Sequence, residues 1–559
     1  MTLQEAAANA EATSYAQEIF GDDVQPEETS YPVDTDESLS LVATFPDPLF
    51  SSYPNAMADC SIYKAAEEAT GIHVDFQGMS TSASNEQFNV MVASGSYPDL
   101  IGWGLNFANG DDAEVDEDII LDLTESIAQY APNYYNLLST DDELLKTAVS
   151  SSGYITAFYG LTTEDGLAKE GLAIRTDVLD ELGLEKPYTI DEYEDTLAAF
   201  KDYGMKQPLM MLAPGAIQDN WLSGAFDVAA FCNSFPMSVV PTYVQDGEIK
   251  FGPVEDGFKD YITLMHDWYE KGYIEADFIS DNSNWNSPDY ANAITTGDAG
   301  IFYCDWGNLG GYIEASEIDG FALEATYDMH ADKDSINHFG TFITKSASNG
   351  FRITTNCENV ELACQWGDWW YSEEGSLLAN YGVEGEGFEY VDGVPTFTSL
   401  VTDSDLGMRD ALLVYASNGT INCVIDNNAV ASGYSEVDKA APEIWATGMD
   451  DEYVIPTSMA LSADQSTEAN NIYSDIQTLC MESIAKFITG DKSLDEFDDF
   501  VQQIKDMGAN TIRVYILLGT DFYEAFYEFN KDNPDPLYLI HGVWIDDYVQ
   551  NSHTDAFNA

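Results

Sequence analysis

The sequence predicts an α/β fold, and two observations carry that prediction. First, strand patterns and helix patterns alternate between residues 39 and 101 in the order β-α-β-α-β, which is typical of layered α/β architectures. Second, the chain has 559 residues, of which 45% are hydrophobic and 13% aromatic, enough to bury more than one core. We therefore expect at least two α/β domains.

The alternation begins with a buried strand, LSLVATF, at residue 39. A short helix follows, with apolar residues at helical spacing, and Gly71 ends it. The segment IHVDF (72–76) alternates in the manner of a strand. Residues 84–94 carry an apolar face at helical spacing, and residues 97–101 form a turn and a third strand.

Later in the chain, apolar stripes and capping residues predict mainly helices. Thr189 and Glu192 have the spacing of a capping box, in which both side chains bond to free N–H groups of a helix start. Ser493 and Glu496 have the same spacing and are expected to cap a late helix. The predicted helices lie at residues 176–182, 190–200, 257–271, 359–371, 476–488 and 494–504.

The two ends of the chain differ from the rest. Residues 1–37 are polar and rich in Ala and Glu, which predicts a flexible N-terminal tether in front of the first domain. They contain no basic segment followed by an apolar one, as a signal peptide would. No run approaches the ~18 apolar residues of a transmembrane helix. Residues 531–559 follow the last predicted helix and are a C-terminal extension without an assignment.

The charge of the chain excludes several classes of partner. It contains 99 acidic and 20 basic residues, which gives a formal net charge of −79. Nucleic-acid binding needs Lys and Arg to replace the counterions of the phosphates, and docking on an anionic membrane needs a basic patch. Neither nucleic acid nor an anionic membrane surface is therefore expected as a partner. The charge itself indicates a strongly solvated surface.

No motif of a known enzyme class is present. The sequence has no GxSxG, no Walker A, no GxGxxG after a strand, no HExxH and no EF-hand loop. These motifs therefore assign no catalytic residue and no cofactor, although so many carboxylates could still hold a structural calcium ion. The same abundance means that spacing alone cannot identify a catalytic acid pair of the glycosidase type.

Cysteine and histidine give weak signals. None of the seven Cys residues forms a CxxC pair, and most are expected to be small buried thiols. A disulfide between Cys357 and Cys364 is the alternative. His330 and His338 could form a paired metal site, but a core or surface role is the more frequent outcome at each position, so no metal ligand is assigned.

Six blocks in order give the chain a resemblance to a known family. It resembles the extracellular solute-binding proteins of ABC importers, specifically the large, lipoprotein-type members of the carbohydrate-oriented family 1. The similarity runs from about residue 39 to about residue 526. The blocks are EEATGIHVDF (67–76), VMVASGSYPDLIGW (90–103), LTESIAQYAPNYYNLL (123–138), GLAIRTDVLDELGLEKPYTIDEYEDTLAAFK (171–201), WWYSEEGSLLANYGVEGEGFEYVDGVPTF (369–397) and MESIAKFITGDKSLDEFDDFVQQIKDMG (481–508).

The resemblance implies a two-lobed, periplasmic-binding-protein-like (type II) α/β fold, with hinge-linked lobes and a ligand cleft. By analogy, lobe 1 would comprise residues 38–160 and 335–395, and lobe 2 residues 161–334 and 396–530. A ligand would increase the population of the closed arrangement of such lobes.

The resemblance also implies a function. The chain would be the extracellular substrate-binding subunit of an ABC transporter, lipid-anchored in its precursor and monomeric. It would capture an oligosaccharide and deliver it to membrane permeases. A neutral sugar is favoured, because a field this negative repels uronates and phosphorylated sugars. A peptide or another small solute is the alternative within the class, and a carbohydrate-active enzyme is the alternative outside it.

Candidate ligand-binding residues are aromatic side chains in loops, with polar neighbours. Aromatic faces stack on the C–H faces of sugars, and carboxylates, amides and hydroxyls bond the sugar hydroxyls. Trp306 follows the strand AGIFYCD, whose counterpart precedes a sugar-stacking tryptophan in the family's maltodextrin-binding members. The candidates are Trp103, Tyr159, Trp221, Trp285, Asp305, Trp306, Asn308, Tyr381 and Glu384. Each of them could instead be a core or turn residue.

Overall fold

The computed structural model divides the described residues into two compact units. The described residues within 1–166 and 343–434 form the first unit, and those within 167–342 and 435–559 form the second. The described residues are 3–8, 10–45, 60–107, 110–150, 152–164, 166–211, 219–229, 241–246, 248–276, 278, 288–340, 342–405, 408–416, 423–454 and 463–507. The C-terminal extension, residues 531–559, lies outside the described residues.

The strands fall into two main sheets and two hairpins. In chain order they are β1 Ser38–Phe45, β2 His73–Ser80, β3 Leu100–Ile101, β4 Phe158–Thr162, β5 Glu170–Arg175, β6 Gln207–Leu209, β7 Thr242–Gln245, β8 Glu248–Phe251, β9 Ala299–Asp305, β10 Leu323–Ala325, β11 Ser346–Ile353, β12 Phe388–Val391 and β13 Val394–Phe397.

The helices dominate the later part of the chain. In chain order they are α1 Leu3–Ala8, α2 Ser14–Phe20, α3 Ser61–Thr70, α4 Ser84–Ser94, α5 Asp111–Asp116, α6 Thr124–Tyr130, α7 Pro132–Ser139, α8 Asp142–Ala148, α9 Thr176–Leu182, α10 Ile190–Tyr203, α11 Asp219–Ser223, α12 Asp256–Glu270, α13 Pro288–Thr295, α14 Leu309–Ala315, α15 Val360–Trp369, α16 Glu373–Tyr381, α17 Ser399–Thr402, α18 Met408–Tyr415, α19 Asn427–Ser432, α20 Glu436–Trp445, α21 Ala463–Thr489 and α22 Phe497–Asp506. None of these described helices is both long and apolar enough to cross a membrane.

The first unit contains a five-stranded sheet in the order β2-β1-β3-β11-β4. β1 runs parallel to β2 and β3, and β11 runs antiparallel to β3 and β4. Successive residues of β1 enter different cores, since Leu41 and Ala43 belong to one apolar cluster and Val42 to another. Both faces of β1 are therefore covered, as expected for parallel strands.

The N-terminal segment is ordered, which corrects the predicted flexible tether. Ala16 of α2 is buried, and the Phe20 ring lies 5.1 Å from the Tyr135 ring. The N–H of Thr13 donates to the carbonyl of Ser139, and the Tyr31 hydroxyl donates to the carbonyl of Gln365 at 2.6 Å. Residues 10–37 therefore form an arm that packs on the first unit. The arm was predicted to be a tether because it is mostly polar, and only a few apolar contacts hold it on the first unit.

The second unit contains a four-stranded sheet in the order β10-β5-β9-β6. β5 runs antiparallel to β9 and β10, whereas β6 runs parallel to β9. The predicted stripe of α12 is confirmed, because five of its apolar side chains are buried. The capping box at Thr189 and Glu192 is formed as predicted, and so is the one at Ser493 and Glu496.

The chain crosses between the units three times. The first two crossings lie at residues 166/167 and 342/343, whereas the sequence placed them at 160/161 and 334/335. The third lies at 434/435 instead of 395/396, so residues 396–434 belong to the first unit and not to the second lobe. They do so because Leu161 of β4 donates to the carbonyl of Cys423, and Ile425 donates to the carbonyl of Leu161.

Six cysteines lie in the described part of the chain, and all six are buried free thiols. Cys357 and Cys364 are among them, so these two residues form no disulfide. This agrees with the expectation that most cysteines serve as small core residues.

Candidate functional site

The best-formed candidate site lies in the second unit, where β9 ends. Asp305 is the last residue of β9, and it pairs with Glu170 at the start of the antiparallel strand β5. β6 is parallel to β9 and ends at the same edge of the sheet. Ligands of α/β proteins commonly bind at the carboxyl ends of strands. We call Glu170, Trp221, Tyr303, Asp305 and Trp306 the strand-end cluster.

Two aromatic rings form the apolar part of the cluster. The rings of Trp221 and Tyr303 are stacked, with centroids 5.3 Å apart and planes 24° apart. The backbone carbonyl of Trp221 accepts a hydrogen bond from the N–H of Met329, which lies in the segment that follows β10. Trp221 is only 1% exposed, so its indole supports the Tyr303 ring from within the unit.

Two carboxylates flank the hydroxyl of Tyr303. Its oxygen lies 2.7 Å from Oε2 of Glu170 and 2.6 Å from Oδ1 of Asp305. A phenol has one proton to donate, so a second proton on a carboxyl group is needed for both contacts to be hydrogen bonds. Burial raises the pKa of Asp305, and burial followed by the two nearby carboxylates raises that of Tyr303. Burial thus disfavours the charged form of the Asp305 carboxyl group.

Trp306 is held in a defined orientation next to the carboxylates. Its backbone N–H donates to the carbonyl of Lys169, and its indole Nε1 donates to the carbonyl of Asp438 at 2.8 Å. The indole is half-buried and packs against the core of the second unit. The Asp438 carboxylate in turn accepts hydrogen bonds from the N–H groups of Leu309 and Gly310, the first residues of α14.

Asn308 occupies the N-cap position of α14, but its side chain makes no capping hydrogen bond. Its backbone N–H donates to the carbonyl of Asp305 at 3.2 Å. The turn from β9 into α14 thus brings Asp305, Trp306 and Asn308 close together, as their order in the sequence suggested. Trp285 lies outside the described residues.

The candidates of the first unit form no comparable cluster. Trp103 follows β3, as predicted, but it is only 5% exposed and belongs to the apolar core. The hydroxyl of Tyr159 lies 2.9 Å from Oγ1 of Thr156, which also donates to Asp111. Asp111 also accepts a hydrogen bond from Nε of Arg352 at 2.8 Å. Tyr159 thus belongs to a polar network that includes the partly buried ion pair of Asp111 and Arg352.

Tyr381 and Glu384 sit in different environments. The Tyr381 ring packs with Phe388 and Phe397, and its hydroxyl donates to Oδ2 of Asp426 at 2.8 Å. These are the contacts of a residue that stabilises the fold. Glu384 is exposed in the turn after α16. A ligand role for either residue stays a prediction.

Sequence reasoning missed Tyr303 and Glu170, the two residues that complete the strand-end cluster. A signal for Tyr303 was present, because residues two apart on a strand share a face and Tyr303 precedes Asp305 by two. The importance of Glu170 depends on the register between β5 and β9, for which the sequence contains no local signal.

A family comparison decides the class of the protein. A model described as bacterial extracellular solute-binding protein matches residues 61–387, more than half of the chain. The chain belongs to this family. The resemblance inferred from the six sequence blocks is confirmed, and the family is one of solute-binding proteins.

Two curated relatives support this membership. Lipoprotein LipO of Bacillus subtilis (strain 168) is 26% identical to this solute-binding protein. The match covers 60% of this chain and 65% of LipO. The fructooligosaccharide ABC transporter substrate-binding protein FusA of Streptococcus pneumoniae serotype 4 (strain ATCC BAA-334 / TIGR4) is 22% identical, over 91% of this chain and 94% of FusA.

A solved structure shares the fold. The crystal structure of an extracellular solute-binding protein from Bifidobacterium longum subsp. infantis matches with a TM-score of 0.69 and 18% identity. The match covers 89% of this chain and 99% of that one. The α/β, periplasmic-binding-protein-like fold class expected from the sequence is confirmed.

Proposed function

We propose that this solute-binding protein captures an oligosaccharide outside the cell and delivers it to the permeases of an ABC importer. The strand-end cluster carries the proposal, because it combines aromatic rings with carboxylates at the ligand-binding edge of an α/β sheet. Sugars offer apolar C–H faces and a rim of hydroxyls, so they match such a surface. The name of FusA, which specifies fructooligosaccharides, supports the same ligand class.

The charge of the cluster favours a neutral sugar. Glu170 and Asp305 supply oxygens that accept hydrogen bonds from sugar hydroxyls. Even with one proton bound, this pair of carboxyl groups keeps a negative charge that would repel the carboxylates of a uronate. The net charge of −79 acts in the same direction. Trp306 offers an aromatic face beside these oxygens, and Asn308 an amide. We therefore infer that Trp306 stacks on the ligand while Asp305 accepts its hydrogen bonds.

The remaining parts of the proposal follow from the family and its relatives. Binding and release of a sugar need no chemistry, so no catalytic residue and no cofactor are required. The name of lipoprotein LipO supports a lipid anchor in the precursor of this chain. We propose that the protein acts as a monomer, with the importer's permeases as its protein partners.

Isothermal titration calorimetry with a ligand panel tests the proposal. The panel contains neutral oligosaccharides, including fructooligosaccharides, an oligogalacturonate and a short peptide, and chromatography of each mixture checks for turnover. Saturable binding of a neutral oligosaccharide without any product is expected. Preferential binding of the peptide or of the oligogalacturonate would refute the ligand class, and consumption of the sugar would show that the protein is an enzyme.

A further inference from the structure

Three metal-binding side chains converge in the second unit, apart from the strand-end cluster. Nδ1 of His338 lies 2.8 Å from Oδ1 of Asp450 and 3.6 Å from Oε2 of Glu452. All three donor atoms lie within 4.8 Å of one another. Within the described part of the chain, no other group of three His, Cys, Asp or Glu residues meets this criterion. The convergence is thus uncommon here even though the sequence has 99 carboxylates.

The charges at this position are not balanced by protein groups. A single Nδ1–H can donate to one carboxylate at a time, so Asp450 and Glu452 compete for one ring nitrogen. Among the residues that the structure describes, no Lys or Arg nitrogen lies within 4 Å of either carboxylate, and His338 is the only ion-pair partner of both. Two adjacent carboxylates repel each other, and a divalent cation would remove that repulsion.

A second histidine of the chain shows why the geometry at His338 is unusual. His73 also contacts two carboxylates, but Glu67 lies 2.9 Å from Nδ1 and Asp75 lies 3.3 Å from Nε2. The two ring nitrogens of an imidazole point in different directions, so one ion cannot bind His73 together with both acids. At His338 both acids approach the same nitrogen.

Backbone hydrogen bonds hold the three donors in place. The N–H of Asp450 donates to the carbonyl of Asn337, and that of Tyr453 donates to the carbonyl of His338. The rings of His338 and Tyr453 lie 4.6 Å apart. The N–H of Glu452 donates to Oδ1 of Asp450 at 3.1 Å, which orients that carboxylate. The segments 337–340 and 448–453 therefore form a fixed frame.

We propose that His338, Asp450 and Glu452 bind a divalent transition-metal ion of the Zn²⁺ type. One imidazole nitrogen with two carboxylate oxygens suits Zn²⁺, whereas Ca²⁺ and Mg²⁺ prefer oxygen ligands alone. A tetrahedron with bonds of about 2.0 Å has edges of about 3.3 Å, between the observed separations of 2.8 and 3.6 Å. Water would take the fourth position, and the ion would join two segments of the second unit.

Titration of the untagged full chain with ZnCl₂ tests the site, with excess Mg²⁺ present to occupy the other surface carboxylates. We expect saturable binding of one Zn²⁺ and a rise in the melting temperature, because an ion that binds only the folded state stabilises it. Co²⁺ bound in place of Zn²⁺ should give the visible absorption that is typical of tetrahedral Co²⁺. His338→Gln should abolish the saturable Zn²⁺ binding and the rise in the melting temperature.

Two further variants make the test decisive. Glu452→Gln should weaken Zn²⁺ binding at least tenfold and should fold normally, because the Glu452 side chain is 70% exposed. His73→Gln is the matched control and should leave the binding unchanged. The proposal is overturned if Zn²⁺ does not bind saturably, if His338→Gln or Glu452→Gln binds as well as the wild type, or if His73→Gln alone removes the signal.

Discussion

The buried carboxylate of Asp368 should make the stability of the first unit depend on pH. The Asp368 side chain caps the start of α7 from the neighbouring helix α15. One of its oxygens accepts a hydrogen bond from the N–H of Tyr134, and the other accepts one from Nδ2 of Asn133, both at 2.8 Å. The residue is only 1% exposed. Burial raises its pKa from 3.8 to about 7, and the hydrogen bonds from Tyr134 and Asn133 offset only part of that rise.

The direction of the pH effect follows from this shift. A carboxyl group whose pKa is higher in the folded chain than in the unfolded chain binds more protons when folded. Its contribution to stability is therefore fully present below about pH 4 and is lost as the pH rises to about 7. At about 1.4 kcal/mol per pH unit, this interval corresponds to a loss of about 4 kcal/mol.

The substitution Asp368→Asn isolates the effect. An asparagine is neutral at every pH and has nearly the same shape. Its carbonyl can accept the N–H of Tyr134, and its amide can donate to the Asn133 carbonyl once the Asn133 amide has turned over. We expect the stability of the variant relative to the wild type to increase by up to about 4 kcal/mol between pH 4 and pH 8.

Native-state hydrogen exchange measures this difference in the first unit alone. Peptides that cover α7 and α15 report the free energy of opening of that region at each pH. The exposed residue Asp36 provides a matched control, because Asp36→Asn removes a carboxylate of the same unit without removing a buried charge. A difference between Asp368→Asn and the wild type that does not change with pH would refute the reasoning.

Three further predictions concern the ligand, the N-terminal arm and a helix cap. Trp306→Ala should weaken oligosaccharide binding roughly 5- to 150-fold in calorimetry, at ~1–3 kcal/mol for a lost stacking contact, whereas Trp306→Phe should lose less; unchanged affinity would remove Trp306 from the site. Deletion of residues 1–37 should speed hydrogen exchange in α6–α8, because it uncovers the ring of Tyr135; a flexible tether would leave exchange unchanged. Thr189→Ala should cost the second unit about 1 kcal/mol in urea unfolding, because it removes the cap of α10; a Thr189→Ser variant that lost as much would argue against the cap.

The elements that were predicted correctly are those that local chemistry determines. Residues 84–94 and 176–182 form helices with the predicted bounds, and Gly71 ends α3 with a positive φ of 71°. Apolar spacing and caps decide such elements, and both can be read within one or two helical turns. The α/β class follows from the same signals, since the order of strands and helices is itself local information.

The features that were predicted wrongly are those that contacts between residues distant in sequence determine. The third crossing between the units was placed too early, because the pairing of residues 423–425 with Leu161 has no trace in their own pattern. The N-terminal arm was read as a tether for a related reason. Its side chains are mostly polar, and only a few of them, such as Ala16 and Phe20, pack on the first unit.

The residues of the candidate site show the same difference between local signals and contacts distant in sequence. The sequence suggested Trp306 and Asp305, because a tryptophan and an acid that directly follow a buried strand are a local signal. It did not suggest that Asp305 and Glu170 share the hydroxyl of Tyr303, because this depends on strand register. Yet that arrangement bears most directly on ligand choice. Two carboxylates around one phenol offer mainly hydrogen-bond acceptors, so the cluster should select a ligand rich in hydroxyl donors over an anionic one.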